Sequence, residues 1–210
     1  DGEGTINFID SADNAAATNT TAGGDIGANG KKIAAINIGS ATKAGNLTTI
    51  NGDAIFASAI TVTGGNVAAE DSSLDLHENI GDANDTVAIV LNDNAGDALL
   101  DIGTVSVIFG TIDGNSGTAG NGASTIDANA ALTVEDSIGS SDVVEALDIG
   151  DTTTLKGAVN TITATTFTAD DILNISGAAA QTLTSTITAT NEQGELNIVN
   201  ATHLVTIAGT

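Results

Sequence analysis

Hydrophobic and polar residues alternate in short runs along almost the whole chain. In KIAAINIG (32–39) and AITVTG (59–64), apolar residues recur at nearly every second position, a pattern typical of a β-strand with one buried face. Most runs are bounded by Gly, Asn or Asp, and the alanine-rich piece 15–18, the one place with a hint of helical period, is too short to stand as a helix. The pattern predicts strands at residues 4–10, 32–39, 46–52, 59–64, 86–91, 104–112, 131–136, 145–151, 160–169, 171–176, 182–190, 195–200 and 203–209.

The dipeptide Ile-Gly recurs at long intervals. Ile26-Gly27 is matched by Ile80-Gly81 and by Ile138-Gly139, at separations of 54 and 58 residues. Apolar residues and glycines match between the copies, whereas charged residues differ, as a shared scaffold requires and a shared active site does not. We therefore expect one repetitive β domain over 1–210. Its units are expected at about 24–78, 79–136 and 137–190, with partial units at 1–23 and 191–210.

The stretch GGDIGANGKKIAAINIGS (23–40) could be taken for a glycine-rich ligand loop. Its near-copy at 137–150 keeps the Ile-Gly pairs but has Val143-Val144 in place of Lys31-Lys32. A loop that held phosphate would need those cations. We therefore interpret the glycines as corners, and Ile36 and Ile38 as inward-facing strand residues.

Two all-β architectures suit these runs. In a repetitive parallel β-solenoid, each coil adds one strand layer about 4.8 Å above the last, with small apolar residues stacked inside. In tandem β-sandwich domains, a repeat of about 55 residues would be short for a unit of about 100 residues. Tight turns and small inward residues favour the solenoid, and the sandwich is the alternative.

Composition narrows the classes of function. The net charge is −23, the four cations are all lysines, and the chain has no Cys, Trp or Tyr. Such a chain repels nucleic acid and anionic membranes and attracts divalent cations. It has no apolar run long enough for a transmembrane helix, and no cysteine for disulfides or thiolate metal sites.

Three motifs carry a resemblance to a known family. They are Gly24-Asp25-Ile26-Gly27, Ile36-Asn37-Ile38-Gly39 and Gly45-Asn46-Leu47-Thr48-Thr49-Ile50, echoed by Ile138-Gly139 and Leu147-Asp148-Ile149-Gly150. The pattern resembles the repetitive passengers of bacterial surface autotransporters, in particular the rickettsial outer-membrane protein B and surface-cell-antigen type. It covers 23–66 and, less closely, 137–177. The resemblance implies a β-helical surface layer that serves as S-layer or adhesin material. No signal segment or translocator is seen, so we expect a mature product or part of a larger surface protein.

Calcium is the ligand that the acidic turns favour. Asp and Asn oxygens on tight loops are the hard ligands that Ca²⁺ prefers. Neither EF-hand spacing nor the calcium-binding β-roll repeat is present, so plain solvated acids are the alternative. The candidate ligands are Asp82, Asn84, Asp85, Asp93, Asp97, Asp113 and Asn115.

Other residues suggest chemistry less strongly. We interpret His77 and His203 as surface or strand residues, and the threonine rows at 160–169 and 182–190 as cross-strand pairs rather than an ice-binding face. Adjacent acids could serve a glycan-degrading β-helix. A sugar cleft, however, also needs aromatic platforms, and Trp and Tyr are absent, while a polyuronate lyase needs basic residues, and the chain has no Arg. We interpret the pairs as solvated turn charges; they are Glu70-Asp71, Glu135-Asp136 and Asp170-Asp171.

These observations favour a structural protein of the bacterial cell surface, outside the cell, that acts by self-assembly and not as an enzyme. The expected partner is the chain itself, as a homopolymer or lattice, or the remainder of a longer chain. An adhesin that binds a host or glycan partner is the alternative, and a β-helical polysaccharide-degrading enzyme is the weakest hypothesis. We expect no cofactor other than Ca²⁺.

Overall fold

The computed structural model describes residues 3–9, 18–43, 46–51, 54–68, 70–104, 106–115, 122–190, 193–199 and 203–209. Within these ranges the chain is almost entirely β-structure. Of the alanine-rich segment 15–18, only Thr18 is described, as the first residue of a strand.

Short strands follow one another through the described residues. In chain order they are β1 (Thr5–Phe8), β2 (Thr18–Gly23), β3 (Ile33–Gly39), β4 (Asn46–Asn51), β5 (Ala54–Ile55), β6 (Ala57–Thr63), β7 (Ser72–Leu76), β8 (Asn79–Ile80), β9 (Val87–Asn92), β10 (Ala98–Ile102), β11 (Ser106–Ile108), β12 (Gly110–Gly114), β13 (Ser124–Ala128), β14 (Leu132–Val134), β15 (Val144–Ile149), β16 (Thr153–Leu155), β17 (Val159–Phe167), β18 (Ile172–Ile175), β19 (Gln181–Ala189), β20 (Glu195–Ile198) and β21 (Val205–Ala208).

The strands wind into a parallel β-solenoid of about seven turns. Three faces run along it: β1-β3-β6-β9-β12, then β2-β4-β7-β10-β13-β15-β17-β19-β21, then β5-β8-β11-β14-β16-β18-β20. Every pairing between these strands is parallel, each with the strand one coil away. The solenoid prediction is therefore confirmed. Tandem sandwiches, which are built from antiparallel sheets, are wrong for this chain.

The core consists of columns of equivalent side chains, because in-register parallel pairing places the same inward position of each coil above the last. On the first face, Ile36, Ile60, Ile89 and Ile112 are fully buried and stack directly. The column continues through the single bridging residue Ile138. On the third face, the column contains Ile26, Ile55, Ile80, Ile108, Val134, Leu155 and Ile175, and it ends at the exposed Ile198.

Coil length varies along the chain: it falls after β13 and rises again towards β21. On the second face, Leu74, Leu100 and Ile126 pair at intervals of 26 residues, but Leu147 and Thr165 are only 18 residues apart. The shorter coils have no separate first-face strand among the described residues. Instead, β17 and β19 each run from the first face onto the second through a register shift near Thr161 and Ala164.

Glycine corners explain the recurring Ile-Gly pairs. Gly27, Gly81 and Gly139 have φ angles of 76°, 69° and 63°, which only glycine adopts without strain. They also lack room: a Cβ on Gly27 would lie 2.3 Å from the carbonyl oxygen of Phe56 in the next coil. The interpretation of these glycines as corners is confirmed.

The three Ile-Gly pairs do not share one position. Ile26 and Ile80 lie in the third-face column with Ile55 between them, two coils apart, whereas Ile138 lies in the first-face column. The repeat that the backbone shows is thus a single coil. The units 24–78, 79–136 and 137–190 are each about two coils long and stay a prediction.

Candidate functional site

The most regular polar feature of the surface is a column of carboxylates on the second face. Asp75, Asp101, Asp127 and Asp148 are direct register partners on β7, β10, β13 and β15. We call these four residues the aspartate ladder. Parallel strands are about 4.8 Å apart, so the half-buried side chains form a line of closely spaced acids. Such a line attracts cations and accepts hydrogen bonds.

Local sequence places each ladder residue between two inward residues. The motif is an apolar residue, Asp, then another apolar residue, as in Leu74-Asp75-Leu76 and Leu100-Asp101-Ile102. Because side chains alternate along a strand, burial of the flanking pair turns the aspartate outward. The same motif recurs at 126–128 and 147–149, and it is the signal that could have identified the ladder from the sequence. We did not predict the ladder.

Polar side chains contact the first two aspartates of the ladder, Asp75 and Asp101. Thr49 donates from Oγ1 to Oδ2 of Asp75 at 3.1 Å, and Nε2 of His77 lies 2.9 Å from Oδ1 of Asp75. Gly103 leaves room for this pair, since a Cβ there would lie 2.9 Å from the imidazole ring. One coil further on, Nδ2 of Asn129 donates to Oδ1 of Asp101 at 3.1 Å.

Asp127, the third residue of the ladder, has a carboxylate whose ionised form is disfavoured. Burial raises the pKa of Asp127 above the usual aspartate value, and the neighbouring carboxylates of Asp101 and Asp148 raise it further, against the lowering effect of a hydrogen bond from Asn129. Desolvation and like charge both disfavour the ionised form. The ladder is therefore a place where negative charge is held close together against repulsion.

Beyond Asp148 the column becomes neutral. Thr166 and Thr188 take the next two positions, on β17 and β19, and are joined by a 3.4 Å hydrogen bond between their hydroxyls. Behind them, the inward hydroxyls of Thr165 and Ser185 lie 2.8 Å apart. We call β17 and β19 the threonine coils. Their cross-strand pairs agree with the interpretation of the threonine rows as stacked pairs.

The calcium candidates lie at three separate places. The first is the turn after β8, which contains Asp82, Asn84 and Asp85. Oδ1 of Asp82 accepts the backbone amides of Asn84 and Asp85, at 2.7 and 2.9 Å. The carboxylate of Asp85 accepts the amide of Gly30 at 2.5 Å and lies 3.5 Å from Nζ of Lys32. The carboxylate oxygens of this turn are thus already bonded to N–H donors, and the bonds of Asp85 join this loop to the loop at Gly30 and Lys32, two coils earlier.

The second place is the corner after β9, where Asp93 is buried and Oδ1 of Asp97 accepts the amide of Ala123 at 2.7 Å. The third follows Ile112 on β12: Oδ1 of Asp113 accepts the amide of Ser141 at 2.9 Å, and Asn115 donates to Asn92. No group of three or more His, Cys, Asp or Glu side chains suited to a metal occurs among the described residues. The seven-residue calcium hypothesis stays a prediction.

The paired acids differ from one another in ways that the sequence did not indicate. Asp71, Asp136 and Asp170 are exposed, as predicted, but Glu70 and Asp171 are buried, with 6% and 8% of their surfaces exposed. The solvated interpretation is wrong for these two. Asp171 caps the preceding turn by accepting the amide of Ala169 at 2.7 Å, and Glu135 is paired with Lys156 at 2.6 Å.

An open cleft of about 510 Å³ lies near the last coils, lined by Asp170, Asp171, Gln193, Gly194 and Glu195. Its carboxylates come from neighbouring corners, since the amide of Glu195 donates to the carbonyl of Asp171. The two histidines are in different coils: His77 directly follows β7, and His203 precedes β21.

Comparison of the chain with protein-family models, curated proteins and solved structures gives no match. Among the described residues, no helix has the length and apolar character needed to cross a membrane.

Proposed function

We propose that this chain is a structural β-solenoid of the bacterial cell surface, located outside the cell, that acts by self-assembly and not by catalysis. The observation that supports this proposal most strongly is that the inward side chains of successive coils form continuous core columns. Ile36, Leu100 and Leu155 represent the three faces, and each is fully buried in its column. Repeats of this kind stack through nearest-neighbour contacts, and the same contact can continue between molecules.

The last described coil offers a surface for such a contact. β20 and β21 are each paired on one side only among the described strands, and unpaired strand edges are templates for further pairing. Of the exposed large hydrophobic side chains in the described ranges, five of nine lie here, namely Leu196, Ile198, Val199, Leu204 and Ile207. Of the 27 acidic residues only Glu192 and Glu195 follow Asp171, so repulsion at this end is weak. The partner that we propose is a further β-coil, from a second copy or from the remainder of a longer chain.

Calcium is proposed as an aid to assembly, because a net charge of −23 opposes the approach of two copies unless cations screen it.

The adhesin alternative gains no support from aromatic side chains. Phe8, Phe56 and Phe109 are half-buried and Phe167 is buried, so none forms an exposed platform for a glycan or host protein.

Light scattering and electron microscopy of the purified chain, with and without CaCl₂, test the proposal. We expect concentration-dependent growth into filaments or sheets, stronger with calcium. The substitutions Ile198→Lys and Leu204→Lys should weaken association, whereas Val67→Lys, at an exposed valine in another part of the solenoid, should not. A monodisperse monomer under every condition would contradict the assembly role. The surface location is tested by labelling intact source cells with an antibody against the chain. Absence of labelling would contradict that location.

A further inference from the structure

Glu70 lies at a corner where little solvent reaches its carboxylate. It precedes β7, at the turn from the first face to the second, and only 6% of its surface is exposed. Its Oε2 is fully buried and has no hydrogen-bond partner among the described residues. The adjacent acid, Asp71, is exposed and accepts the amide of Asp97 at 2.9 Å, so the two members of the pair have different environments.

Backbone groups of two coils surround this corner. The amide of Gly65 donates to the carbonyl of Glu70 at 2.7 Å, and the amide of Gly96 in the next coil donates to the carbonyl of Gly65 at 3.1 Å. Nδ2 of Asn94 donates to the same carbonyl at 3.0 Å. Contact is so close that a Cβ on Gly96 would lie 2.2 Å from the carbonyl oxygen of Glu70. The corner is therefore dense and rich in carbonyl oxygens.

A second buried acid belongs to the equivalent corner of the next coil. Asp93 follows β9, directly precedes Asn94, and is 4% exposed. Glu70 and Asp93 thus lie in two loops that are in direct backbone contact. An ionised carboxylate costs several kcal/mol to bury when one of its oxygens lacks a partner, as Oε2 of Glu70 does. A buried polar atom without a partner, such as Oε2 of Glu70, requires an explanation such as a bound ion, a water molecule or a proton.

We propose that this corner binds one Ca²⁺ ion, with Glu70 and Asp93 as its carboxylate ligands and backbone carbonyl oxygens of the two loops completing the site. Calcium takes six to eight oxygen ligands in flexible geometry, carbonyls included, whereas Mg²⁺ requires near-octahedral geometry and retains its waters. A dry, carbonyl-rich corner therefore suits calcium. The strongly negative chain raises the local concentration of cations. The ion would join two successive coils at the corner where their loops meet.

Calorimetric titration of the purified chain with CaCl₂, combined with thermal melts, tests this site. The wild type should show one saturable binding event and a higher Tm in CaCl₂ than in NaCl of equal ionic strength. Glu70→Gln should weaken that event at least about tenfold, a loss of about 1.4 kcal/mol, and should melt at a higher temperature than the wild type in EDTA, because the unpaired charge is gone. Asp142→Asn removes the same charge from an exposed position and should leave the calcium response unchanged.

Asp93→Asn provides the second variant, should Glu70→Gln fail to fold by circular dichroism, and it should also lose the saturable event. Three results would overturn the site. In the first, folded Glu70→Gln and Asp93→Asn both respond to calcium as Asp142→Asn does, as expected if a proton or a water satisfies Glu70. In the second, NaCl of equal ionic strength reproduces the whole effect, as expected for screening alone. In the third, MgCl₂ stabilises the wild type as strongly as CaCl₂. None of these results depends on whether the chain assembles.

Discussion

The second face carries two chemistries on one backbone. From β7 to β15, its inward column contains Leu or Ile and its outward column is the aspartate ladder. In the threonine coils, the same two columns contain Thr165 inward and Thr166 and Thr188 outward. The pairing stays parallel throughout. Because each coil contacts only its neighbours, the column chemistry can change at a coil boundary without a change of fold.

The corners differ in the same way. Up to Gly139, eight described glycines have positive φ, whereas after it only Gly194 does among those described. In the later coils, the amide side chains of Asn160 and Gln181 help to close the corners. Asn160 takes the place of Ile in the first-face column, accepts the amide of Ile138 and donates to Gly157. Among the described corners, the later ones thus depend mainly on side-chain hydrogen bonds, whereas the earlier ones combine positive-φ glycines with such bonds, as at Asn94.

The largest contrast should appear in the inward column. Leu100→Ala should cost about 2–5 kcal/mol, because it leaves a cavity in a fully buried column. Thr165→Ala, at the equivalent position of a threonine coil, should cost about 1 kcal/mol for the lost bond with Ser185. Urea denaturation followed by circular dichroism measures both. Equal losses of unfolding free energy would show that the threonine coils are packed like the coils that carry the aspartate ladder.

Gly81→Ala tests the backbone corners. Its φ is 69°, and a Cβ would lie 2.4 Å from the carbonyl oxygen of Asp85, so we expect a loss above about 2 kcal/mol from strain and steric overlap together. Gly30 is the matched control, because it has the same φ and its added methyl group would meet no neighbouring atom within 4 Å. Gly30→Ala should cost only the conformational strain, about 1 kcal/mol. Thermal melts that rank the two variants equally would contradict the steric argument.

Gln181→Leu tests the amide corners. Gln181 accepts the amide of Gly177 and donates to the carbonyls of Leu155 and Gly157. Leucine fills similar space but removes these three hydrogen bonds at a buried position, so we expect a loss of about 1–3 kcal/mol. The chain's other glutamine, Gln193, is exposed, and Gln193→Leu should change the Tm little. A stable Gln181→Leu would show that water can replace the amide.

The smallest effect concerns pH. The raised pKa of Asp127 means that the folded state binds its proton more tightly than the unfolded state does. Stability from this group is therefore greatest at low pH and falls as pH rises from the usual value of 3.8 through the higher folded pKa. Asp127→Asn should remove that fall and gain less than about 1 kcal/mol at pH 7, since solvent screens a partly exposed charge. The measurement is urea denaturation at several pH values, with Asp136→Asn, at an exposed acid, as the control. An equal gain in unfolding free energy for this control would show that the effect comes from lower net charge and not from the ladder.

The fold was predictable because alternation is a local property. Strands such as Ile33–Gly39 and Glu195–Ile198 lie where the apolar pattern places them. The strands Ser72–Leu76, Ala98–Ile102 and Ser124–Ala128 were missed. Each has five residues with an aspartate, a residue that favours turns, within its apolar pattern, although the same motif at 147–149 lies in a strand that was predicted. The same three strands carry most of the aspartate ladder.

The candidate site was less predictable, because burial at a corner depends on the neighbouring coil. Glu70 and Asp71 are adjacent acids before a strand, and nothing in their local pattern separates them. Only the loop of the next coil, packed against Gly65 through Gly96, buries one and leaves the other in solvent. Contacts of this kind depend on which loop lies above which, and that order follows from coil lengths that the sequence alone did not reveal.

One consequence of the winding concerns how the chain folds. Second-face partners such as Leu74 and Leu100 are separated by one coil, and none of the described core columns requires distant parts of the chain to meet. Loop closure therefore costs a similar, modest entropy at every coil, and order can spread from a first pair of coils to the next. Folding of this kind can proceed in step with the delivery of the chain, since each new coil needs only the one before it as a template.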